Sequence, residues 1–355
     1  MQKNVESNQD VVDVVERGKW KRFGLTFLKD WRLYVLLVPM LVFLILFKYI
    51  PVAGILTGFK WGADNTRTNY LWSGLYWFNR IFFGAEAATF WRAFRNTFVN
   101  SMYGLLIGFP IPIILALLFS EIKVLWYRSI VQVLCYLPHF VSITVMTTII
   151  KLWCEGTAGG AAGGWVYKFF EAVGWMDHVV ETTNDAGEVI KQTETYTDSV
   201  LMHGKFFRPI YQVSGIWEGA GYGSIVYFAA ILAISPTSYE AARIDGASKM
   251  QQIRYVTFPG MAPTLTIMLI MRIGHILNVG YEKIILLVSD KDSAWETADV
   301  VSTFVYRMSG RDVNYTGSIY KQAGIVADLF NSIIAMFLVL GANAISRRVS
   351  STSLF

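Results

Sequence analysis

Long, uncharged apolar stretches recur along this sequence, and they constrain the fold more than any other feature. The first reads Tyr34-Val-Leu-Leu-Val-Pro-Met-Leu-Val-Phe-Leu-Ile-Leu-Phe47. About 20 apolar residues in a helix cross the roughly 30 Å hydrocarbon core of a bilayer. Only helices and closed barrels satisfy every backbone polar group inside that core. The sequence therefore predicts an all-α, polytopic membrane protein.

The composition supports this class, because only 16% of the 355 residues are charged and 54% are hydrophobic. An average soluble domain has about 25% charged residues. Apolar runs of sufficient length predict six transmembrane helices. These predicted spans are Leu33–Leu56, Thr97–Ser120, Ile130–Trp153, Ile210–Ile234, Leu265–Val288 and Ile325–Ile345.

The distribution of Lys and Arg predicts the orientation, since basic residues near span ends favour the cytoplasmic side. The first 32 residues contain several of them, and Arg347 and Arg348 follow the last span. Six crossings place both termini in the cytoplasm. The loop from Leu56 to Asn96 is a partial exception, because it contains five basic residues and is predicted to lie outside.

Four regions are predicted along the chain. Residues 1–32 form a cytoplasmic tail, in which Trp20–Phe27 is either an amphipathic elbow helix or a flexible basic segment. Residues 33–350 form the transmembrane domain. Residues 154–208 form an insertion between the third and fourth spans, predicted to be an extracytoplasmic lobe or hairpin with a short helix near Val166–Val173. Its eight acidic and four basic residues suit the outer side.

The fourth region, residues 235–263, is a cytoplasmic loop with the sequence Glu240-Ala-Ala-Arg-Ile-Asp245-Gly-Ala247, followed by Pro259 and Pro263. This pattern resembles the "EAA" signature of the permease subunits of ATP-driven importers, the loop on which the ATPase docks. Glu-Ala-Ala alone is simply a good helix-forming sequence. The Asp-Gly-Ala that follows, both prolines and the flanking apolar spans favour the functional interpretation.

Further segments extend the resemblance from about residue 32 to the C-terminus. They include Gly108-Phe-Pro-Ile-Pro112, Tyr136-Leu-Pro-His139 and Asp299-Val-Val-Ser-Thr303. The chain resembles a binding-protein-dependent ABC importer permease of the maltose-type carbohydrate branch, and among these the polysaccharide and oligosaccharide permeases of the LplB type. The resemblance implies a type I importer permease (MetI-like) fold in the bacterial plasma (inner) membrane. It implies import of oligosaccharides or polysaccharide fragments.

The resemblance also implies that Glu240–Ala247 is a coupling helix seated on the ATPase. Small residues permit close approach, Gly246 permits a backbone conformation that a Cβ penalises, and the carboxylates can bind donors on the partner. The two prolines are expected to stop the next helix from continuing into the membrane. The predicted ATPase-coupling residues are Glu240, Ala241, Ala242, Asp245, Gly246, Ala247 and Pro259.

The sequence has no Gly-x-x-x-x-Gly-Lys-Ser/Thr pattern, so it has no phosphate-binding P-loop. The chain is therefore predicted to be a transport subunit without a catalytic site, a metal or a cofactor of its own. ATP and Mg²⁺ would be bound by partner ATPases. The implied partners are a second homologous permease in a heterodimer, two ATPase subunits, an extracytoplasmic solute-binding protein, the lipid membrane and a carbohydrate. No nucleic-acid-binding motif is present.

Polar residues at membrane depth usually face a cavity or the bundle interior. In a continuous fifth span, Arg272, His275, Asn278 and Glu282 would lie within a 120° arc. We hypothesise a sugar path formed by Glu218, Tyr222, His275, Asn278 and Tyr281. The alternative is that these side chains make interhelical hydrogen bonds. His139 is interpreted as a packed core histidine.

Three other functions remain open. The same machinery can carry a non-carbohydrate solute. A secondary, ion-coupled transporter would lack an ATPase to dock on residues 235–263. A membrane-embedded glycan-processing enzyme would need convergent acidic or metal-binding residues, and the acidic segment Glu181–Asp198 looks like a solvated loop instead.

Overall fold

The structure is a computed structural model that describes residues 31–60, 72–183, 189–288, 294–310 and 320–349. The predicted elbow helix at Trp20–Phe27 lies outside these residues. The chain divides into two compact units, Met1–Gly58 and Phe59–Phe355.

The first unit contains one long apolar helical run. Helix α1 spans Trp31–Leu44 and is followed by a π-helical turn, Ile45–Tyr49, by the short α2, Ile50–Val52, and by a 3-10 segment, Ala53–Phe59. Within the run Trp31–Phe59, an 18-residue window has a mean hydropathy of 2.4. The run is long and apolar enough to cross a membrane, as predicted for the first span.

The second unit is built almost entirely of helices. Its helices are α3 (Tyr76–Phe82), α4 (Ala87–Leu106), α5 (Pro110–Glu121), α6 (Leu125–Tyr136), α7 (Ile143–Cys154), α8 (Trp165–Ala172), α9 (Gly204–Leu232), α10 (Pro236–Ile244), α11 (Lys249–Gln252), α12 (Phe258–Gly274), α13 (Tyr281–Leu287), α14 (Trp295–Ala298), α15 (Val301–Met308) and α16 (Lys321–Val349). Short 3-10 segments lie at Leu137–Phe140, Ala158–Gly160 and Val200–Met202.

Within the described residues, four runs are long and apolar enough to span a membrane, and two bent helix pairs raise the total to as many as six. The unbent runs are Trp31–Phe59, Ala87–Glu121, Lys249–Gly274 and Lys321–Arg348. The bent pairs are Leu125–Phe140 with Ile143–Cys154 and Gly204–Leu232 with Pro236–Ile244. All six predicted spans overlap these helices.

The third predicted span, Ile130–Trp153, is broken rather than straight. Its two halves, α6 and α7, meet at an angle of 97°. Pro138 lies at the break. Proline interrupts a helix because it lacks a backbone N–H and its ring collides with the preceding turn. Ser142 then begins α7 by accepting a hydrogen bond from the backbone N–H of Val145.

The fifth predicted span, Leu265–Val288, is wrong in its boundaries. The long helix lies earlier, at Lys249–Gly274, and the next helix, α13, begins only at Tyr281. Since α12 ends at Gly274, the polar residues of this region do not share one helical face. The 120° arc predicted for them is therefore wrong.

The 154–208 insertion contains a helix and a hairpin. Helix α8 lies at Trp165–Ala172, close to the predicted Val166–Val173. Strands β1 (Asp177–Thr183) and β2 (Val189–Thr195) pair antiparallel, with Asp177 opposite Thr195. Both strands are rich in Val and Thr, whose branched side chains suit an extended backbone. The fold is therefore helical with a single described two-stranded hairpin.

Three buried apolar clusters hold the second unit together. The first joins α7, α8, the start of α9 and α13 around Tyr167 and Phe207. The second joins α3, α4, α15 and α16 around Phe90 and Phe304. The third joins α5, α9 and α12 around Tyr227. The outer surfaces of the spans remain apolar and exposed, as expected for helices in lipid.

Candidate functional site

The sequence Glu240–Ala247 forms the end of α10 and a tight turn after it. The N–H of Gly246 donates to the carbonyl of Arg243 at 3.0 Å, and the N–H of Ala247 donates to the carbonyl of Ala242 at 2.9 Å. This pair of bonds is a Schellman motif, which requires a left-handed residue after the helix end. Gly246 provides it with a φ of +76°. The expectation that Gly246 adopts a conformation unfavourable for other residues is confirmed.

Hydrogen bonds and an ion pair hold the loop 235–263 against the rest of the unit. The hydroxyl of Tyr239 lies 3.1 Å from the hydroxyl of Thr257, which precedes α12. The Lys249 ammonium lies 2.7 Å from the Glu121 carboxylate at the end of α5. Ser248 and Gln251 form a reciprocal capping box at the start of α11. The loop is therefore connected to α5 through Lys249 of α11, and α10 is connected through Tyr239 to the turn before α12.

The same loop exposes a mixed charged and apolar surface. Glu240 is exposed, and Ile244, one turn further along α10, is 86% exposed. Met250 and Tyr255 are also exposed on the segment that follows. Exposed apolar side chains rimmed by polar residues are typical of a protein interaction surface.

Pro259 and Pro263 do not interrupt the helix, contrary to the expectation from the sequence. Residues Lys249–Gly274 form one continuous helical run that contains both prolines. A π-helical turn, Ile253–Thr257, directly precedes α12, in which Pro259 is the second residue. Such turns rearrange the backbone hydrogen bonds within a helix, so the run continues past a residue that lacks an N–H. The expected helix stop is therefore wrong, although Pro259 still lies at the start of α12.

A cavity of about 670 Å³ is lined by residues of α4, α5, α9, α12 and the segment 275–283. Three of the predicted path residues, Glu218, His275 and Asn278, line it. His275 is the C-terminal cap of α12, and Asn278 lies in the connection to α13. These residues thus line one wall from the end of α12 and from the connection after it, and not from one continuous helix.

The other two predicted path residues, Tyr222 and Tyr281, do not line this cavity. The Tyr222 ring stacks on the His139 ring, with centroids 4.0 Å apart and planes 11° apart, and His139 lines the cavity. The Tyr281 ring stacks on Tyr306 at 4.9 Å. The interpretation of His139 as a core residue is wrong, because its side chain is exposed.

An ion pair forms part of the cavity wall. The Lys283 ammonium lies 2.9 Å from the Glu218 carboxylate, and its side chain is nearly buried. It also lies 5.6 Å from the centre of the Tyr211 ring. A lysine buried in this way needs such a partner, because an unpaired charge in a low-dielectric interior is very unfavourable. The pair links α9 to α13 across the cavity wall.

Sequence reasoning missed several polar residues of the wall, including Asn100, Ser101 and Gln212. The Gln212 amide donates to the carbonyl of Asn100 at 3.0 Å, and the Ser101 hydroxyl donates to the carbonyl of Ile276. A pattern in the sequence could have identified the polar residues of α4. Asn96, Thr97, Asn100 and Ser101 form two i, i+4 pairs within an apolar helix, the spacing of a polar face.

A buried charged network continues from this wall. Asn96 and Arg208 lie one turn before Asn100 and Gln212, and the Arg208 guanidinium donates to the Asn96 side chain at 2.6 Å. Asn96 in turn donates to the carbonyl of Asp299 at 2.9 Å. The Asp299 carboxylate accepts two hydrogen bonds from Arg307, at 2.7 and 2.8 Å.

No group of three or more His, Cys, Asp or Glu side chains within the described ranges has metal-binding geometry. The two cysteines, Cys135 and Cys154, are free thiols.

Comparison of the sequence with known proteins identifies a family that the chain matches. The sequence profile of the family described as "Binding-protein-dependent transport system inner membrane component" matches residues 108–350. Protein LplB of Bacillus subtilis (strain 168) is 30% identical over 353 residues, which cover 96% of each chain. The polygalacturonan/rhamnogalacturonan transport system permease protein YteP of the same organism is 29% identical, covering 99% of this chain and all of its own.

Two solved structures are similar over nearly the whole chain. A bacterial ABC transporter involved in the import of the acidic polysaccharide alginate contains a chain that is 34% identical. The match covers 93% of this chain and 100% of that chain, with a TM-score of 0.75. A bacterial alginate ABC transporter in complex with an alginate pentasaccharide-bound periplasmic protein matches with a TM-score of 0.76, 34% identity and coverage of 94% and 100%.

Proposed function

The chain belongs to the family of binding-protein-dependent transport system inner membrane components, and from this premise we propose that it imports an oligosaccharide or a polysaccharide fragment. It is a multi-pass membrane permease subunit with the ABC importer permease fold, and ATP hydrolysis belongs to separate ATPase subunits. The predicted family and fold class are thereby confirmed. The cytoplasmic location of both termini remains a prediction.

The surface of the loop 235–263 supports the assignment of Glu240–Ala247 as the ATPase-coupling helix. The exposed Glu240 and Ile244 are available to a partner. The Tyr239–Thr257 hydrogen bond and the Lys249–Glu121 ion pair connect the loop to the turn before α12 and to α5. A rigid connection of this kind passes a movement of the docked subunit directly to the helices. In this proposal, ATP-driven closure of two ATPases moves α5 and α12, which form part of the cavity wall.

The cavity supports the cargo assignment, and it is the single observation on which this part of the proposal depends. Its wall combines amide, hydroxyl, imidazole and charged groups, and the aromatic rings of Phe109, Tyr211 and Tyr227 also line it. Sugars present many hydroxyl groups that need such hydrogen-bonding partners in a water-poor site. A second homologous permease and an extracytoplasmic binding protein would complete the assembly, as in the alginate importer whose complex contains a periplasmic protein.

The proposal predicts the behaviour of the purified assembly in lipid nanodiscs. Glu240→Ala combined with Ile244→Ser removes the exposed face of α10, so cargo-stimulated ATP hydrolysis should fall about tenfold, as when an interaction of about 1.4 kcal/mol is lost. Ser238→Ala is the matched control on the same helix and should retain the wild-type rate. Both variants alter exposed residues, so both should fold.

Other outcomes would favour the remaining functions. If no ATPase co-purified and a proton or sodium gradient alone drove uptake, the chain would be an ion-coupled transporter. If the assembly hydrolysed ATP in response to a non-carbohydrate solute only, the machinery would stand and the cargo assignment would be wrong.

A further inference from the structure

Asn100 places an unsatisfied amide in the cavity wall. It is only 2% exposed, and neither its side-chain nitrogen nor its side-chain oxygen has a hydrogen-bond partner within the described residues. Burying an amide without partners is costly, and buried side-chain polar atoms nearly always have at least one. The cavity that Asn100 lines is the space in which a ligand can supply the missing donor and acceptor.

Arg272 contributes a positive charge to the same cavity. Its guanidinium donates one hydrogen bond, to the carbonyl of Gly104 at 3.3 Å. No carboxylate in the described part of the chain lies within ion-pair distance of it. Arginine has five N–H donors in a planar fork, and a charged residue at membrane depth usually faces a functional cavity. Most of its donors are therefore available to a ligand.

The remaining charges do not neutralise Arg272. Glu218, the one carboxylate among the described residues of the cavity wall, is already paired with Lys283 at 2.9 Å. The Arg272 charge is therefore not balanced by a carboxylate of the described wall. An excess of positive charge in the cavity would attract an anion and repel a cation.

We propose that the cavity recognises acidic sugars, with the Arg272 guanidinium binding a uronate carboxylate and Asn100 binding a neighbouring hydroxyl. This assignment rests on the proposed import of carbohydrate and names its class. The fork of Arg272 matches the two oxygens of a carboxylate, whereas the primary alcohol of a neutral hexose offers a single weaker acceptor. The lone amide of Asn100 suits a hydroxyl, which both donates and accepts.

The test compares two matched ligands: a uronic acid trisaccharide and the same trisaccharide with its carboxyl groups reduced to primary alcohols. ATP hydrolysis by the complete assembly in nanodiscs, with its binding protein, is measured over a range of each ligand. Because the binding protein is identical in every sample, a change in preference between variants arises in the permease. The wild type should respond more strongly to the acidic trisaccharide.

Arg272→Gln should weaken the response to the acidic trisaccharide about tenfold, as expected for loss of a charge-assisted hydrogen bond. It should leave the response to the reduced trisaccharide within about twofold, and Arg272→Lys should keep part of the preference because it keeps the charge. Asn100→Ala should weaken both responses equally. Arg128→Gln removes one positive charge away from the cavity and should change neither.

Three results would overturn the inference. Equal loss of both responses in Arg272→Gln would make Arg272 a structural residue or a contact with the second permease. A wild type without preference for the acidic ligand would show that the charge excess does not select cargo. A wild type that hydrolyses ATP with its partners but responds to neither trisaccharide would refute the carbohydrate assignment itself.

Discussion

The turn after α10 allows the proposed coupling helix to be weakened without disturbing its neighbours. Gly246 has a φ of +76°, and a Cβ added there would meet no heavy atom within 4 Å. Gly246→Ala therefore introduces backbone strain without a collision. The left-handed conformation costs a non-glycine residue roughly 1–2 kcal/mol, which raises the equilibrium constant for opening of the turn about 5- to 30-fold.

Hydrogen–deuterium exchange of the assembly in nanodiscs measures this loss. The N–H groups of Gly246 and Ala247 close the turn by donating to carbonyls of α10. Their protection depends on the free energy of local opening, so exchange in a peptide that contains both should accelerate by about the same 5- to 30-fold. Cargo-stimulated ATP hydrolysis should fall with it, because the partner then meets an ordered coupling helix less often.

Two further variants separate strain from mere substitution. Gly246→Asn should have a smaller effect than Gly246→Ala, since asparagine tolerates the left-handed region better. Gly341→Ala in α16 also adds a Cβ with no heavy atom within 4 Å, but at an ordinary helical position, and should change neither measurement. Wild-type exchange in Gly246→Ala, or a larger effect of Asn than of Ala, would refute the reasoning.

The remaining predictions concern packing and buried charge, both measured by thermal unfolding in nanodiscs. Gly221→Ala should destabilise the protein by about 1–3 kcal/mol, because its Cβ would lie 2.0 Å from the carbonyl oxygen of Cys135 on α6. Gly219→Ala, on the same helix with no atom within 4 Å, should be neutral or stabilising by up to about 1 kcal/mol, and equal effects would contradict the close approach of α9 and α6. Asp299→Asn should cost about 3–5 kcal/mol, because it neutralises the buried carboxylate that accepts two hydrogen bonds from the nearly buried Arg307. Glu121→Gln breaks the exposed pair with Lys249 and should cost at most about 1 kcal/mol. A similar loss of stability in both variants would contradict the larger contribution expected of the buried carboxylate of Asp299.

The turn chemistry around residue 246 was readable in advance because it depends on neighbours in the sequence. Gly246 follows a helix-forming segment that starts at Pro236, and glycine is the residue that closes such helices. The position of α8 was also predicted from the local sequence, as a short apolar helix near Val166–Val173 within the insertion. By contrast, the effect of Pro259 could not be read locally, since the π-helical turn Ile253–Thr257 accommodates it within a continuous helix.

The residues of the cavity also divide into those that the sequence identifies and those that it does not. Glu218, His275 and Asn278 stand out in sequence because polar groups are rare in apolar spans. Asn100 and Gln212 were overlooked, although Asn100 belongs to a recognisable i, i+4 polar pattern. Arg272 was identified as polar but placed on a continuous helical face. In the structure α12 ends at Gly274, so Arg272 reaches the cavity from the helix and Asn278 from the connection after it.

The sequence by itself determined the membrane class, the number of apolar segments and the family, because length, hydropathy and the spacing of a local motif are properties of the chain alone. The tertiary structure decided where the helices break and which polar groups meet. Pairs such as Glu218 with Lys283 and Asn96 with Asp299 lie 65 and 203 residues apart. Periodicity within one helix contains no information about the register of another helix against it. Packing sets that register, and with it the composition of the cavity wall.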